Sequence, residues 1–141
     1  MSIIVTDKGF KLLLGKEQEF VGIETLFQGV ESPINLDLPN DQDPRVIQPC
    51  FCWIKIIRIP FPNFSDGRGF SLAARLRQLG YEGILRAQGH IIADQYNLAR
   101  QSGFDEIEID EMLAKRQPES HWLKQAQKRT LSYQKRLLKV A

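Results

Sequence analysis

The stretch from residue 51 to residue 110 alternates between two hydrophobic periods, and that alternation limits the chain to a small set of folds. Trp53–Ile59 (WIKIIRI) is rich in β-branched residues and runs into Pro60 and Pro62, which reads as a strand stopped by residues that cannot donate to a ladder. Phe70–Leu79 then places Leu72, Ala73, Leu76 and Leu79 at helical spacing, with Arg75, Arg77 and Gln78 off the stripe and Gly80 as the stop. Gly83–Ala87 is a second short strand ended by Gln88 and Gly89, His90–Ser102 a second helix closed by Gly103, and Asp105–Asp110 a third strand with Ile107 and Ile109 on one face. Strand, helix, strand, helix, strand is the order of βαβ units, whose strands are parallel and whose crossovers are right-handed.

The flanks read less regularly. Ser2–Val5 and Ile34–Leu38 look like further strands, while Pro33, Pro39, Pro44 and Pro49 with Asn40, Asp41 and Asp43 mark a loop-rich connection. Pro118 and Ser120 announce a helix running to Arg129. The expectation is one α/β domain over 1–141, with a loop-rich part at 1–50, a βαβαβ core at 51–112 and a basic C-terminal helix and tail at 113–141. Three to five mainly parallel strands with crossover helices would form either a small open sheet or part of a (β/α) barrel, and periodicity does not choose between the two. An incomplete parallel sheet leaves open edges, so a homo-oligomer is also expected.

Composition excludes several classes. At 141 residues and 43% hydrophobic, the chain can bury a core and is neither disordered nor collagen-like. The longest apolar run, 51–59, is broken by Lys55 and Arg58 and falls short of the ~20 residues of a membrane span. Asp7 and Lys8 interrupt the first ten residues, unlike a secretory signal, and there are two cysteines, so a reducing cytoplasmic location is expected. Cys50 and Cys52, side by side on one face if extended, supply two ligands, which do not make a zinc or iron–sulfur site. Neither a metal nor a cofactor is expected. Eight Lys and Arg residues follow position 114 against Glu119 alone. Such a tail can be a nucleic-acid arm, but solvated helix faces give the same statistics more often, and nucleic acid is not expected as a partner.

In parallel α/β structures ligands bind outside the carboxyl ends of the strands. The loop after the first clear strand contains Asp66, Gly67, Arg68, Gly69 and Ser71: two glycines that permit unusual backbone angles, an arginine between them, and a serine near a helix start, which together suit an oxyanion. The loop after the second strand supplies Arg86 and Gly89. Carried by neighbouring strands, Arg68 and Arg86 would hold a small anion such as sulfite, sulfate or phosphate. The structural alternative is a tight turn with Asp66 capping the helix or pairing with Arg68, for the segment is neither a P-loop nor a dinucleotide fingerprint. Asp94 and Gln95 lie within or beside the apolar stripe of Ile91, Ile92, Leu98 and Ala99. Unpaired polar groups there would cost about 1–3 kcal/mol each, so they need partners: Asp94 either positions a substrate-binding arginine or joins a buried ion pair between βα units. His90 is a candidate general acid or base, or an exposed helix-start residue. No residue is assigned a catalytic role, and enzyme activity stays open.

The run Phe61-Pro62-x-Phe64-x-Asp66-Gly67-Arg68-Gly69-Phe70-Ser71, then Gly83-x-Leu85-Arg86-Ala87-x-Gly89, Asp94-Gln95, Ser102-Gly103-Phe104-Asp105 and Leu131-Ser132-Tyr133-Gln134 resembles a bacterial family of uncharacterised proteins labelled as oxidoreductases of sulfite reduction. The resemblance spans Ile54 to Tyr133. It implies a process, because the label rests on genes lying beside those of assimilatory sulfite reductase. Members often carry cysteine at the position of Ser102 and an acidic residue at that of His90, so neither is a required catalyst. No flavin, nicotinamide or iron–sulfur motif accompanies the label. The implied function is an accessory protein of sulfite reduction that binds a small oxyanion or docks on sulfite reductase. The alternative is a structural or interaction module, such as a homodimer scaffold, with no ligand of its own.

Overall fold

The computed structural model describes residues 2–12, 19–29 and 33–128. Its strands are β1 (Ser2–Thr6), β2 (Gly9–Leu12), β3 (Phe20–Val21), β4 (Ile34–Asp37), β5 (Ile54–Phe61), β6 (Ile84–Gly89) and β7 (Glu106–Asp110), joined in one open sheet in the order β2-β1-β7-β6-β5-β4-β3. Strands β3 to β7 are parallel and adjacent in chain order, while β1 runs antiparallel to both β7 and β2. The α/β class is as expected, but the sheet has seven strands rather than three to five. β2, with one buried residue, and β3, two residues long, are too short to show a period.

Helices α1 (Ile23–Phe27), α2 (Arg68–Gln78), α3 (Tyr96–Ser102) and α4 (Glu111–Arg116) are followed by a helical stretch at 119–128. Their buried residues, among them Leu26, Leu72, Leu76, Tyr96, Leu113 and Trp122, share one core with Val5, Leu36, Ile57, Ile59, Leu85, Ala87, Ile107 and Ile109 from the sheet. Successive right-handed crossovers that always move to the next strand place their helices on the same face. The two-residue period of a strand then sends Ile56, Arg58, Arg86, Gln88 and Glu108 to the opposite face. This singly wound order is that of a segment of a (β/α) barrel, left open.

Three boundaries depart from expectation, each for a local reason. Strand β5 continues through Pro60, which pairs with Gln88 of β6. On its other side the ladder has already ended: Leu38 N donates to Arg58 O at 2.9 Å, and two residues on, the Pro60 carbonyl accepts from Asn40 Nδ2 at 3.4 Å. Pro60, which has no N–H to donate, therefore stands where the β4 ladder has ended. Helix α3 starts at Tyr96 rather than His90. Gly89, at φ +116°, turns the chain out of β6, Ile91 is drawn into the core, and a 3₁₀ turn at Ala93–Gln95 intervenes. Cys50 and Cys52 lie in a 3₁₀ segment, Gln48–Trp53, and are not extended; both thiols are free, Cys50 half-buried and Cys52 exposed. The helix expected after Pro118 is present and buries Trp122, whose Nε1 donates to Gln117 O at 2.8 Å. Its expected end at Arg129 and the Leu131–Gln134 motif lie outside the described residues.

Candidate functional site

Arg86 sits in the middle of β6 and not in the loop beyond it. Parallel register sets it beside Arg58 on β5 and Glu106 on β7, and sets Gln88 beside Glu108. Two adjacent arginines on one face need a carboxylate between them, and Glu108 supplies it. Arg86 Nη1 donates to Glu108 Oε1 at 3.1 Å and Arg58 Nη1 to both Glu108 oxygens at 3.3 and 3.2 Å, while Gln88 Nε2 donates to Oε2 at 2.8 Å. At the ends, Arg58 grips Asp37 through Nε at 2.6 Å and Nη2 at 2.9 Å, and Arg86 Nε donates to Glu106 at 2.8 Å. The Phe20 ring lies over both guanidinium groups, 3.9 Å from Arg58 and 5.4 Å from Arg86. Charges thus alternate across four parallel strands in the order Asp37, Arg58, Glu108, Arg86, Glu106. Burial makes Arg86 and Glu108, 3% and 5% exposed, dependent on their neighbours, since an ion in this setting is tolerated only when paired, whereas Asp37 at the end of the chain is 44% exposed.

The turn between β5 and α2 is a separate site. Asp66 Oδ1 accepts from the Arg68 backbone N and from Nε, both at 3.1 Å, and Oδ2 accepts from Arg68 Nη2 at 2.9 Å and Asn40 Nδ2 at 3.1 Å. The hydrogen bonds from Arg68 hold the Asp66 carboxyl at about 2, below its ordinary 3.8. The glycines here do not use unusual backbone angles: Gly67 has φ −89° and Gly69 lies within α2. Gly69 is needed instead for close packing, because a Cβ there would stand 2.4 Å from Phe61 Cζ. Ser71, on the first turn of α2, is exposed.

The expected convergence of Arg68 and Arg86 is not found. Arg68 belongs to α2, on the helix-bearing face, with its side chain 61% exposed; Arg86 points to the other face and its side chain is 3% exposed. Asp94 meets neither arginine and is not buried. It is exposed and accepts from Gln125 Nε2 at 3.4 Å, because residues 91–95 do not continue the stripe of α3. Gln95 ties two loops together: Oε1 accepts from Ile92 N at 3.1 Å, and Nε2 donates to Phe64 O at 2.9 Å.

At the carboxyl ends of β5, β6 and β7 a cleft of about 550 Å³ opens between the Pro60–Phe64 segment, Gln88–His90 and the β7–α4 junction. Of the residues expected at a site, Gly89 lines it. Its positive φ and the 2.6 Å between a built Cβ and Phe61 O make glycine necessary at that turn. His90 is exposed there, its ring edge-to-face with Phe64 at 5.5 Å. Arg68 and Ser71 line a shallower groove of about 230 Å³ with Asn40, Asp41, Gln42 and Arg75. Sequence reasoning missed Arg58, Glu108, Met112 and Arg116. A signal for the first two was available, since charges at alternate positions of interior strands (Arg58; Glu106 and Glu108) mark a polar sheet face.

The fold and these sites define an α/β protein with a singly wound open sheet, an ion-pair chain on the face opposite the helices, and a cleft at the carboxyl edge. The chain belongs to the bacterial proteins of unknown function grouped as DUF934, whose family model matches residues 35–140. No curated protein and no solved structure matches it. Among the described residues, no helix is long and apolar enough to cross a membrane, and no group of His, Cys, Asp or Glu is arranged to hold a metal ion.

Proposed function

We propose that the chain is an accessory protein of assimilatory sulfite reduction that docks on sulfite reductase through the segment preceding β5. The observation that carries this reading is the exposure of Trp53 (44%) and Val46 (43%) on a segment of 3₁₀ turns, residues 44–53, whose inner side is anchored. Ile47 is fully buried, Pro44 is buried, and Phe51 packs edge-to-face on Tyr81 at 5.2 Å. An aromatic side chain held out on a fixed backbone is the kind of anchor that dominates interface energetics, because little order is lost on binding. The process and the partner come from the family resemblance, whose genes adjoin those of sulfite reductase.

The test is capture of purified sulfite reductase by the immobilised chain. Wild type retains the reductase, and Trp53→Ala, with its circular dichroism unchanged, loses at least about tenfold in affinity. Failure of the wild type to retain it, or equal retention by the variant, removes the reading. A mass that doubles with concentration while no reductase is retained would instead establish the homodimer scaffold.

A second reading, binding of a small oxyanion, is favoured by the groove that brings Arg68, Ser71 and Arg75 together. Arg75 takes the place that Arg86 was expected to fill. Asp41, Asp43 and Asp66 surround the same arginines and offset their charge. Calorimetric titration of sulfite, with Arg75→Gln as the control, decides it: heat that disappears in the variant supports the groove, and absence of heat at millimolar sulfite excludes it.

A further inference from the structure

We infer that the cleft at the carboxyl ends of β5, β6 and β7 binds a small organic anion with a flat, apolar body. Its place is where ligands gather in parallel sheets, and its volume of about 550 Å³ falls within the usual range of ligand pockets. The walls are apolar: Phe61, Phe64, Ile109 and Leu113 line it, and Met112, 66% exposed, stands in the lining as well.

The charges facing the cleft are not equally available. Glu108 is consumed by Arg58, Arg86 and Gln88. Asp110 caps α4, its Oδ1 accepting from Leu113 N at 2.7 Å. Arg116, on the last turn of α4, is exposed and has no ion-pair or hydrogen-bond partner among the described residues. His90 is exposed and meets the Phe64 ring edge-to-face. Asp110 is exposed and keeps its second oxygen, while Arg116 and His90 are cleft residues whose polar side chains make no ion pair or hydrogen bond among the described residues, set beside rings that would cover a flat ligand.

The wall is also fixed in advance. Gln95 Nε2 holds Phe64 O at 2.9 Å, His90 N donates to Phe61 O at 2.9 Å, and Gly89 adopts the one turn that lets the two strands approach. A preformed wall keeps the ordering cost of binding low. This inference does not depend on docking through Trp53, which precedes β5 and so lies at the opposite edge of the sheet.

Two dyes that share a ring system and differ by an acid group test it on the purified full chain: 1-anilinonaphthalene-8-sulfonate and the neutral N-phenyl-1-naphthylamine. The expected result is saturable one-to-one binding of the sulfonate, about tenfold tighter than the neutral amine, from its charge-assisted contact. Arg116→Gln should bring the gap below about threefold, and His90→Ala should narrow it as well, while Lys115→Gln, a neighbouring cation that does not line the cleft, leaves it intact. Equal affinity for the two dyes, a gap unchanged in Arg116→Gln, or absence of saturable binding would overturn the inference. Because Arg116 is exposed, the variant keeps its fold, and circular dichroism verifies that.

Discussion

Arg86 and Glu108 face one another from neighbouring strands, Nη1 3.1 Å from Oε1, with 3% and 5% of their side chains exposed. A pair so enclosed cannot lose one partner quietly, because the survivor keeps a buried charge. Arg86→Gln or Glu108→Ala should lower stability by about 3–5 kcal/mol in denaturant unfolding. The double variant should lose less than the two single losses combined, which gives a coupling measurable in a double-mutant cycle. Additive losses would show that the two side chains act independently.

Arg68 and Asp66 make a pair of similar length, 2.9 Å, in the opposite setting, with the arginine side chain 61% exposed. The Asp66 side chain is 8% exposed, but solvent competes for the guanidinium and Asn40 also donates to the carboxylate, and such pairs contribute about 0–1 kcal/mol. Arg68→Gln is expected to shift the unfolding midpoint little, in clear contrast to Arg86→Gln. Equal losses at the two positions would contradict the distinction drawn between them.

Two glycines in adjacent turns should respond differently to the same change. Gly89 combines φ +116° with a built Cβ 2.6 Å from the Phe61 carbonyl, so Gly89→Ala strains the backbone and should destabilise by more than about 1 kcal/mol. Gly67, at φ −89° with open space around a Cβ, accepts alanine at no cost or with a small gain. Thermal unfolding of the two variants side by side checks both.

Asp43 and Asp66 are each held at about 2, against an ordinary 3.8, mainly by side-chain hydrogen bonds from Arg45 and Arg68 respectively. A carboxyl whose folded value is depressed contributes stability that is present above about pH 4 and is lost as the pH falls from there toward 2. Denaturant midpoints should therefore drop between pH 5 and pH 2.5. In the Asp43→Asn, Asp66→Asn double variant the drop should be smaller, starting from a lower value at pH 5. A parallel decline in the two proteins would assign the acid sensitivity elsewhere.

The core of the fold was legible because Leu72, Ala73 and Leu76 on α2 and Ile107 and Ile109 on β7 repeat at the period of their own element. The Asp66–Arg68 turn was legible too, as the structural alternative, since both groups are local in sequence. What was not legible is the partnership of Arg86. Its position on a strand facing away from the helices, and the register that delivers Glu106 and Glu108 to it, depend on how β6 and β7 align across twenty residues. Spacing along one chain carries no such information. The late start of α3 was hidden for a similar reason: Ile91 and Ile92 continue an apolar stripe on paper, but Ile91 enters the core before the helix begins. β2 and β3 were lost to their length alone.

The most direct measurement is arginine side-chain NMR of the isotopically labelled chain during a titration with sulfite. Arg86, enclosed between Glu106 and Glu108, should keep its Nε–H resonance unmoved at millimolar sulfite and exchange its proton slowly with water. A shift of the Arg86 signal that saturates with sulfite would contradict its assignment as a spent structural cation and would return it to the anion site.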